Sequence, residues 1–167
     1  PTPSSAASDV YKRQVYAFVR DPKLYPLAQY LDYSDLALTR KKKNLKTFTK
    51  GLADEDPVKR YWSVIGLLLL EKQAKPAISE LKKVLGDRDE IPAFAAWAIY
   101  KAGEKKFAEK WMLETITQNP ENKTLANIFD WMGTASHSLL AKIPADKLPS
   151  KGLLKDVIKR SVVRDDG

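Results

Sequence analysis

Apolar residues recur along this chain at helical spacing, and polar breaks punctuate them every 15 to 20 residues. After Asp56 and Pro57, the residues Val58, Tyr61, Trp62, Ile65, Leu68 and Leu69 fall on one stripe of a helix. Asp56 can accept free amide hydrogens of a first turn, and Pro57 suits that turn because it has no amide hydrogen to leave unpaired. Val64, Leu67 and Leu70 make the same helix apolar on further sides, which predicts packing from more than one direction. A short polar link follows. Pro76 then opens a second helix with Ile78, Leu81, Val84 and Leu85 inward, Glu80, Lys82 and Lys83 outward, and Gly86 at its end.

The pattern repeats. Ile91, Phe94, Ala95 and Ala98 follow Asp89 as Val58, Tyr61, Trp62 and Ile65 follow Asp56, an offset of 33 residues. A further outer helix carries Phe107, Ala108, Trp111 and Ile116 and stops near Asn119-Pro120. Leu125, Ile128, Phe129 and Met132 restate the inner positions at an offset of 34, and Gly133 supplies a C-terminal cap. Upstream, Leu45, Phe48 and Leu52 share a face. Downstream, Pro144 and Pro149 interrupt the chain, and Leu154, Val157, Ile158 and Ser161 mark a closing helix over 153–163. No alternation of period two persists. The expected fold is all-α, an α-solenoid of about three degenerate helix pairs plus flanking helices, each pair burying its face on the next.

Composition narrows the chemistry. The 167 residues suffice for one domain with a core or for several small repeats, and 44% hydrophobic with 30% charged residues is ordinary for a globular protein. With no cysteine there is no disulfide, thiolate metal site or cysteine nucleophile. The longest apolar run, WSVIGLLLL at 62–70, is far short of the roughly 20 residues that span a bilayer. The net charge of +8 favours anionic partners. Much of it is local: Arg40, Lys41, Lys42, Lys43, Lys46, Lys50, Lys59 and Arg60 face only Asp54, Glu55 and Asp56 in the same stretch. Lys41, Lys42, Lys43, Lys46, Lys59 and Arg60 are the candidate patch for an anionic polymer, whose binding would weaken as salt rises. The plainer reading is a solvated turn between helices.

Other candidates are weaker. Asp54/Glu55/Asp56 and Asp87/Asp89/Glu90 sit where helices begin, and acids there complement free amides and the helix dipole, while Asp165/Asp166 belong to the tail. His137 is the only histidine, and beside Ser136 and Ser138 it reads as a polar residue of a loop. Trp62, Trp97, Trp111 and Trp131 could stack on sugars or bases, but all fall on apolar stripes and read as core. No catalytic, cofactor-binding or metal-ligating constellation is present: there is no Gly-x-Ser-x-Gly elbow, phosphate-binding glycine loop or His-Glu-x-x-His helix. Nucleic acid is disfavoured as a partner, because Pro92 and Ala93 stand where a second unit would need the counterparts of Lys59 and Arg60.

Two resemblances add to this. The stretch Asp54-Glu55-Asp56-Pro57-Val58-Lys59-Arg60 resembles the opening of a HEAT repeat, in which aspartate and proline begin the first helix and a valine and a basic residue follow. The second unit keeps Asp87, Asp89 and Ile91, and the third keeps only apolar positions. Residues 15 to about 100 also resemble the region after the catalytic domain in bacterial sulfatases with C-terminal HEAT-like repeats. The matching residues are Arg20, Asp21, Pro22, Tyr25, Pro26, Leu27, then Asp35, Leu36, Ala37, then Asp56 to Trp62 with Gly66 and Leu67.

The sulfatase resemblance implies a non-catalytic tail next to a sulfate-ester hydrolase domain in cis, with sulfated polysaccharide or another protein as further contacts and a periplasmic or secreted setting. Calcium and formylglycine would belong to the parent enzyme; the chain has no cysteine and no Ser-x-Pro/Ala-x-Arg, so no catalytic or metal position carries over. The alternative is a stand-alone HEAT-like adaptor that binds a protein. Residues 4–14, SSAASDVYKRQ, resemble a translated sequencing adapter. The expected organisation is therefore 1–14 adapter, 15–43 linker or entry segment, 44–135 helical repeats, and 136–167 a C-terminal loop and capping helix.

Overall fold

The computed structural model describes residues 17, 20–87 and 90–165, so the adapter-like segment, Asp89 and Asp166 lie outside the described residues. Among the described residues the chain is all-helical, with no strand. The α-helices are α1 (Leu27–Leu38), α2 (Leu45–Gly51), α3 (Pro57–Leu70), α4 (Ile78–Lys83), α5 (Ile91–Ala102), α6 (Lys105–Gln118), α7 (Lys123–Met132), α8 (Thr134–Leu140) and α9 (Leu153–Asp165). Short 3₁₀ turns precede α2 and flank α4.

The helices pack in a regular succession. α3 contacts α1, α2 and most extensively α5; α5 in turn contacts the 71–86 segment, α6 and α7; α7 is closed by α8 and α9. α5 is central because its sequence lets neighbours come close: nine of its twelve residues are buried, five of them alanines (Ala93, Ala95, Ala96, Ala98, Ala102). Gly103, at φ 118, ends it with its N–H on the carbonyls of Ile99 and Tyr100, a left-handed turn that glycine takes without a β-carbon clash.

One expected helix start, Asp56-Pro57 at the head of α3, holds, and a second cap is found at α7. Asp56 accepts the Val58 amide at 2.8 Å at the head of α3, and Asn122 accepts the Leu125 amide at 2.9 Å at the head of α7. α6 stops at Asn119, and Gly133 follows α7 at φ 58. In α9, Leu154, Val157 and Ser161 are buried.

Several expectations need correction. Residues 27–38, assigned to an entry segment, form α1, whose Ser34 and Ala37 are buried and which packs on α3. Residues 71–77, expected as a polar link with Pro76 opening a helix, are 3₁₀ and contain Pro76; α4 begins only at Ile78. Residues 136–140, assigned to a loop, belong to α8, so His137 is helical. Phe107, placed on an outer helix with Ala108, Trp111 and Ile116, is exposed, with the Lys82 ammonium 4.2 Å above its ring, whereas Ala108 and Ile116 are buried. Of the predicted stripe of α3, Leu68 is buried while Val58, Tyr61, Trp62, Ile65 and Leu69 are half-buried; Val64, Leu67 and Leu70, on its further sides, are buried. The reason is crowding: α1, α2 and α5 compete for α3, and the side carrying its aromatic residues lies at the margin of α5, where Tyr61 meets Phe94 edge-on at 5.6 Å.

Candidate functional site

The basic run is built on a turn that the fold pins firmly. Asn44 is buried, and its amide donates to the Leu36 carbonyl at 3.3 Å and to the Thr39 hydroxyl at 3.0 Å. The backbone from 39 to 44 is thereby held against the end of α1, and Lys41, just before the 3₁₀ turn, and Lys42 and Lys43, within it, are exposed. Lys46 and Lys50 follow on α2, also exposed. Their spacing of four puts them on one helix face, with Lys43 one turn earlier. Among the described residues none of these five lysines pairs with an acid. No carboxylate occurs in sequence between Lys41 and Ala53, so this stretch of chain carries positive charge only.

The other two predicted patch members are placed differently: Arg60 is tied into a clip, and Lys59 shares a cleft with Lys50 of the ridge. The Arg60 guanidinium donates to the carbonyls of Asp54 at 2.8 Å and Glu55 at 3.0 Å, and its Nε lies 3.2 Å from an Asp87 carboxylate oxygen. That contact is an ion pair lacking hydrogen-bond alignment, with both atoms buried. Arg60 therefore ties the loop before α3 to the turn after α4. Asp87, expected at a helix start, serves this clip instead of capping α5.

Lys59 lines a cleft of about 960 Å³ between α1, α2 and the start of α3, together with Asp32, Tyr33, Lys50, Asp54 and Glu55. Three carboxylates and two ammonium groups make that cleft electrically mixed. Its floor is rigid: the Tyr33 hydroxyl lies 3.1 Å from Ser63 Oγ, which donates to the Lys59 carbonyl at 2.7 Å. The Tyr30 phenol, also on α1, has its pKa raised above the usual tyrosine value, first by the nearby Asp56 carboxylate as acceptor, then by desolvation and the charge of Asp56.

Lys50, absent from the patch expected from the sequence, lies on the rim shared by this cleft and a second groove containing Lys46, Thr49, Pro76 and Glu80. Its spacing from Lys46 was the available signal. Trp131, expected in the core, is 57% exposed. Trp62, Trp97 and Trp111 are half-buried.

The remaining chemistry is sparse. Ser136 donates to the carbonyls of Phe129 at 2.8 Å and Gly133 at 2.7 Å, which fixes its hydroxyl into the α7–α8 corner. Among the described residues no group of histidine and acidic side chains could hold a metal, and no helix is long and apolar enough to cross a membrane. No protein-family model, curated protein or solved structure matches the chain.

Proposed function

We propose that this chain is a non-catalytic helical-repeat module of the HEAT-like kind that acts through surfaces, with the lysine ridge of α2 as its contact for an anionic polymer. The observation that carries this reading is the ridge itself: Lys41, Lys42, Lys43, Lys46 and Lys50 are exposed, set on a pinned turn and short helix, and unpaired among the described residues. The succession of α1, α3, α5 and α7 supports the repeat part of the reading, since each of these helices packs on the next and is followed in sequence by an outer helix. The likeness of residues 15–100 to the tail of a sulfatase suggests the setting, a sulfate-ester hydrolase domain in cis and a sulfated polysaccharide as the polymer.

Retention of the full chain on a heparin column tests the contact. Polyanion binding releases counterions, so retention is expected at low salt and lost as salt rises. Lys41→Glu with Lys43→Glu should weaken binding by about tenfold or more at low salt. Lys59→Glu, in the mixed cleft, should do much less. Retention unchanged by the ridge pair removes the reading. The domain in cis is tested separately, by reading the source DNA upstream of the Val15 codon for an open frame with a Cys-x-Pro-Ser-Arg type motif.

A protein-binding adaptor is the second reading. It is favoured by Leu27, Leu31 and Leu38, which lie exposed along α1. Loss of self-association or of partner capture in a Leu31→Lys variant, with heparin retention intact, would support it over the first.

A further inference from the structure

Trp97 and Trp131 stand 34 residues apart at matching positions of α5 and α7. Their ring centroids are 6.0 Å apart with planes inclined by 28°, and Trp131 also stacks on Phe94 at 6.2 Å and 26°. Offset stacking at this separation is a favoured aromatic geometry. Tyr61 meets both Phe94 and Trp62 edge-on, at 5.6 and 5.5 Å, which extends the row to α3. Both rings that touch Trp131 belong to α5, so its indole is braced from that side while more than half of the residue stays open.

Three features decide what such a braced ring suits. The first is size. Among the described residues of α3, α5 and α7, Trp131 is the one large apolar side chain that is exposed. A partner helix would need several apolar anchors along a groove, whereas a single sugar ring needs one flat face. The second is charge. Asp130, the neighbour of Trp131, is held by Arg160 at 3.0 Å, so its carboxylate is compensated and gives no free anionic partner for a cation. The third is a hydrogen-bonding rim. Asn127 lies one turn before Trp131 on the same face of α7, half-buried, and its side-chain amide makes no hydrogen bond among the described residues. It offers a donor and an acceptor beside the ring.

We propose that Trp131 and Asn127 form a saccharide platform. The indole face carries the negative side of the ring quadrupole and receives the positively polarised C–H face of a pyranose, while the Asn127 amide takes a ring hydroxyl. This goes beyond the polyanion reading and does not depend on it: the ligand is a neutral sugar, the site is on α7, and the interaction is insensitive to salt.

The test follows the indole N–H resonances of the full-length ¹⁵N-labelled chain during titration with cellohexaose, maltohexaose and chitohexaose. Tetramethylammonium chloride and a leucine-rich amphipathic peptide serve as competing probes. The resonance absent from the Trp131→Phe spectrum should shift saturably at millimolar concentrations of at least one saccharide, equally at low and high salt. Trp131→Ala should abolish binding and Trp131→Phe retain part of it, both with wild-type helical content. Asn127→Ala should weaken binding by about tenfold, the scale of one lost hydrogen bond to a ligand. Heparin retention should be unchanged in all three, so a failure here is distinguishable from a failure of the lysine ridge. The proposal is overturned if no saccharide moves that resonance, or if only the cation or the peptide does.

Discussion

A β-carbon built on Gly66 would lie 2.7 Å from both Cδ2 and Cε2 of Phe48, and that ring is fully buried with Tyr33 against its face edge-on at 6.0 Å. The ring cannot retreat without disturbing the α1–α2–α3 junction. Gly66→Ala should therefore destabilise the protein by about 1–3 kcal/mol despite its better helix propensity, because overpacking outweighs the gain. Urea unfolding measures this, and a stabilised variant would show that Phe48 has room to move. Tyr61 gives a second residue-scale expectation. Burial, and after it the charge of Glu90, raises its pKa above 10.0. A tyrosine whose folded pKa is raised keeps its proton in the native state after the unfolded chain has lost it, so the native state is favoured below the unfolded pKa and loses that advantage as pH climbs toward the folded one. Stability should fall from about pH 10 upward, and Tyr61→Phe should make that fall shallower in a series of denaturant curves. An identical slope in the variant would place the titration elsewhere.

Helix ends show how one backbone geometry is met by two different residues. Gly133 after α7 has φ 58 and ψ −133, and Glu71 after α3 has φ 50 and ψ −124. Glycine takes this region freely, whereas a glutamate with its β-carbon is strained there by roughly 1–3 kcal/mol. The Glu71 side chain gains only an exposed pair with Lys101 at 3.0 Å, worth little in water. Glu71→Gly should raise stability by about 1 kcal/mol, net of the glycine's entropy in the unfolded chain, and a loss in thermal or urea unfolding would mean that the Lys101 pair matters more than its exposure suggests. The contrast also explains what could be read in the sequence. Asp56-Pro57, Asn119-Pro120 and Gly133 were legible as helix boundaries because those residue types have few other reasons to occur there. The end of α3 was not, because Glu71 carries no such mark. The 3₁₀ stretch at 71–77 was hidden for the same reason, since its apolar spacing imitates an ordinary helix start at Pro76. At the candidate sites, charge and exposure could be inferred for Lys41 to Lys46. The diversion of Arg60 to Asp87 could not, because it depends on a partner 27 residues away, and neither could the exposure of Trp131, because an apolar stripe shows which residues share a face and not how far the neighbouring helix covers it.

At the scale of the whole molecule the helices do not share their contacts evenly. α5 packs on α3, on the 71–86 segment, on α6 and on α7, whereas α1 packs mainly on α3. Opening α1 alone would uncover one side of α3; opening α5 would dismantle everything. Stability in such a succession is expected to be graded, since each element answers chiefly to its neighbours. Native-state hydrogen exchange should therefore find the slowest amides in α5 and the facing turns of α3, with α1 exchanging through a separate, easier opening. Ala37 sharpens the test, being fully buried on the α3-facing side of α1. Ala37→Gly lowers helix propensity by about 1 kcal/mol and removes a buried methyl, which should speed exchange in α1 by about fivefold or more. If α1 opens alone, exchange in α5 stays as it was. If the slow amides of α5 accelerate by the same factor, the chain unfolds as one cooperative unit, and the stacked succession of helices is then an arrangement in space without energetic independence.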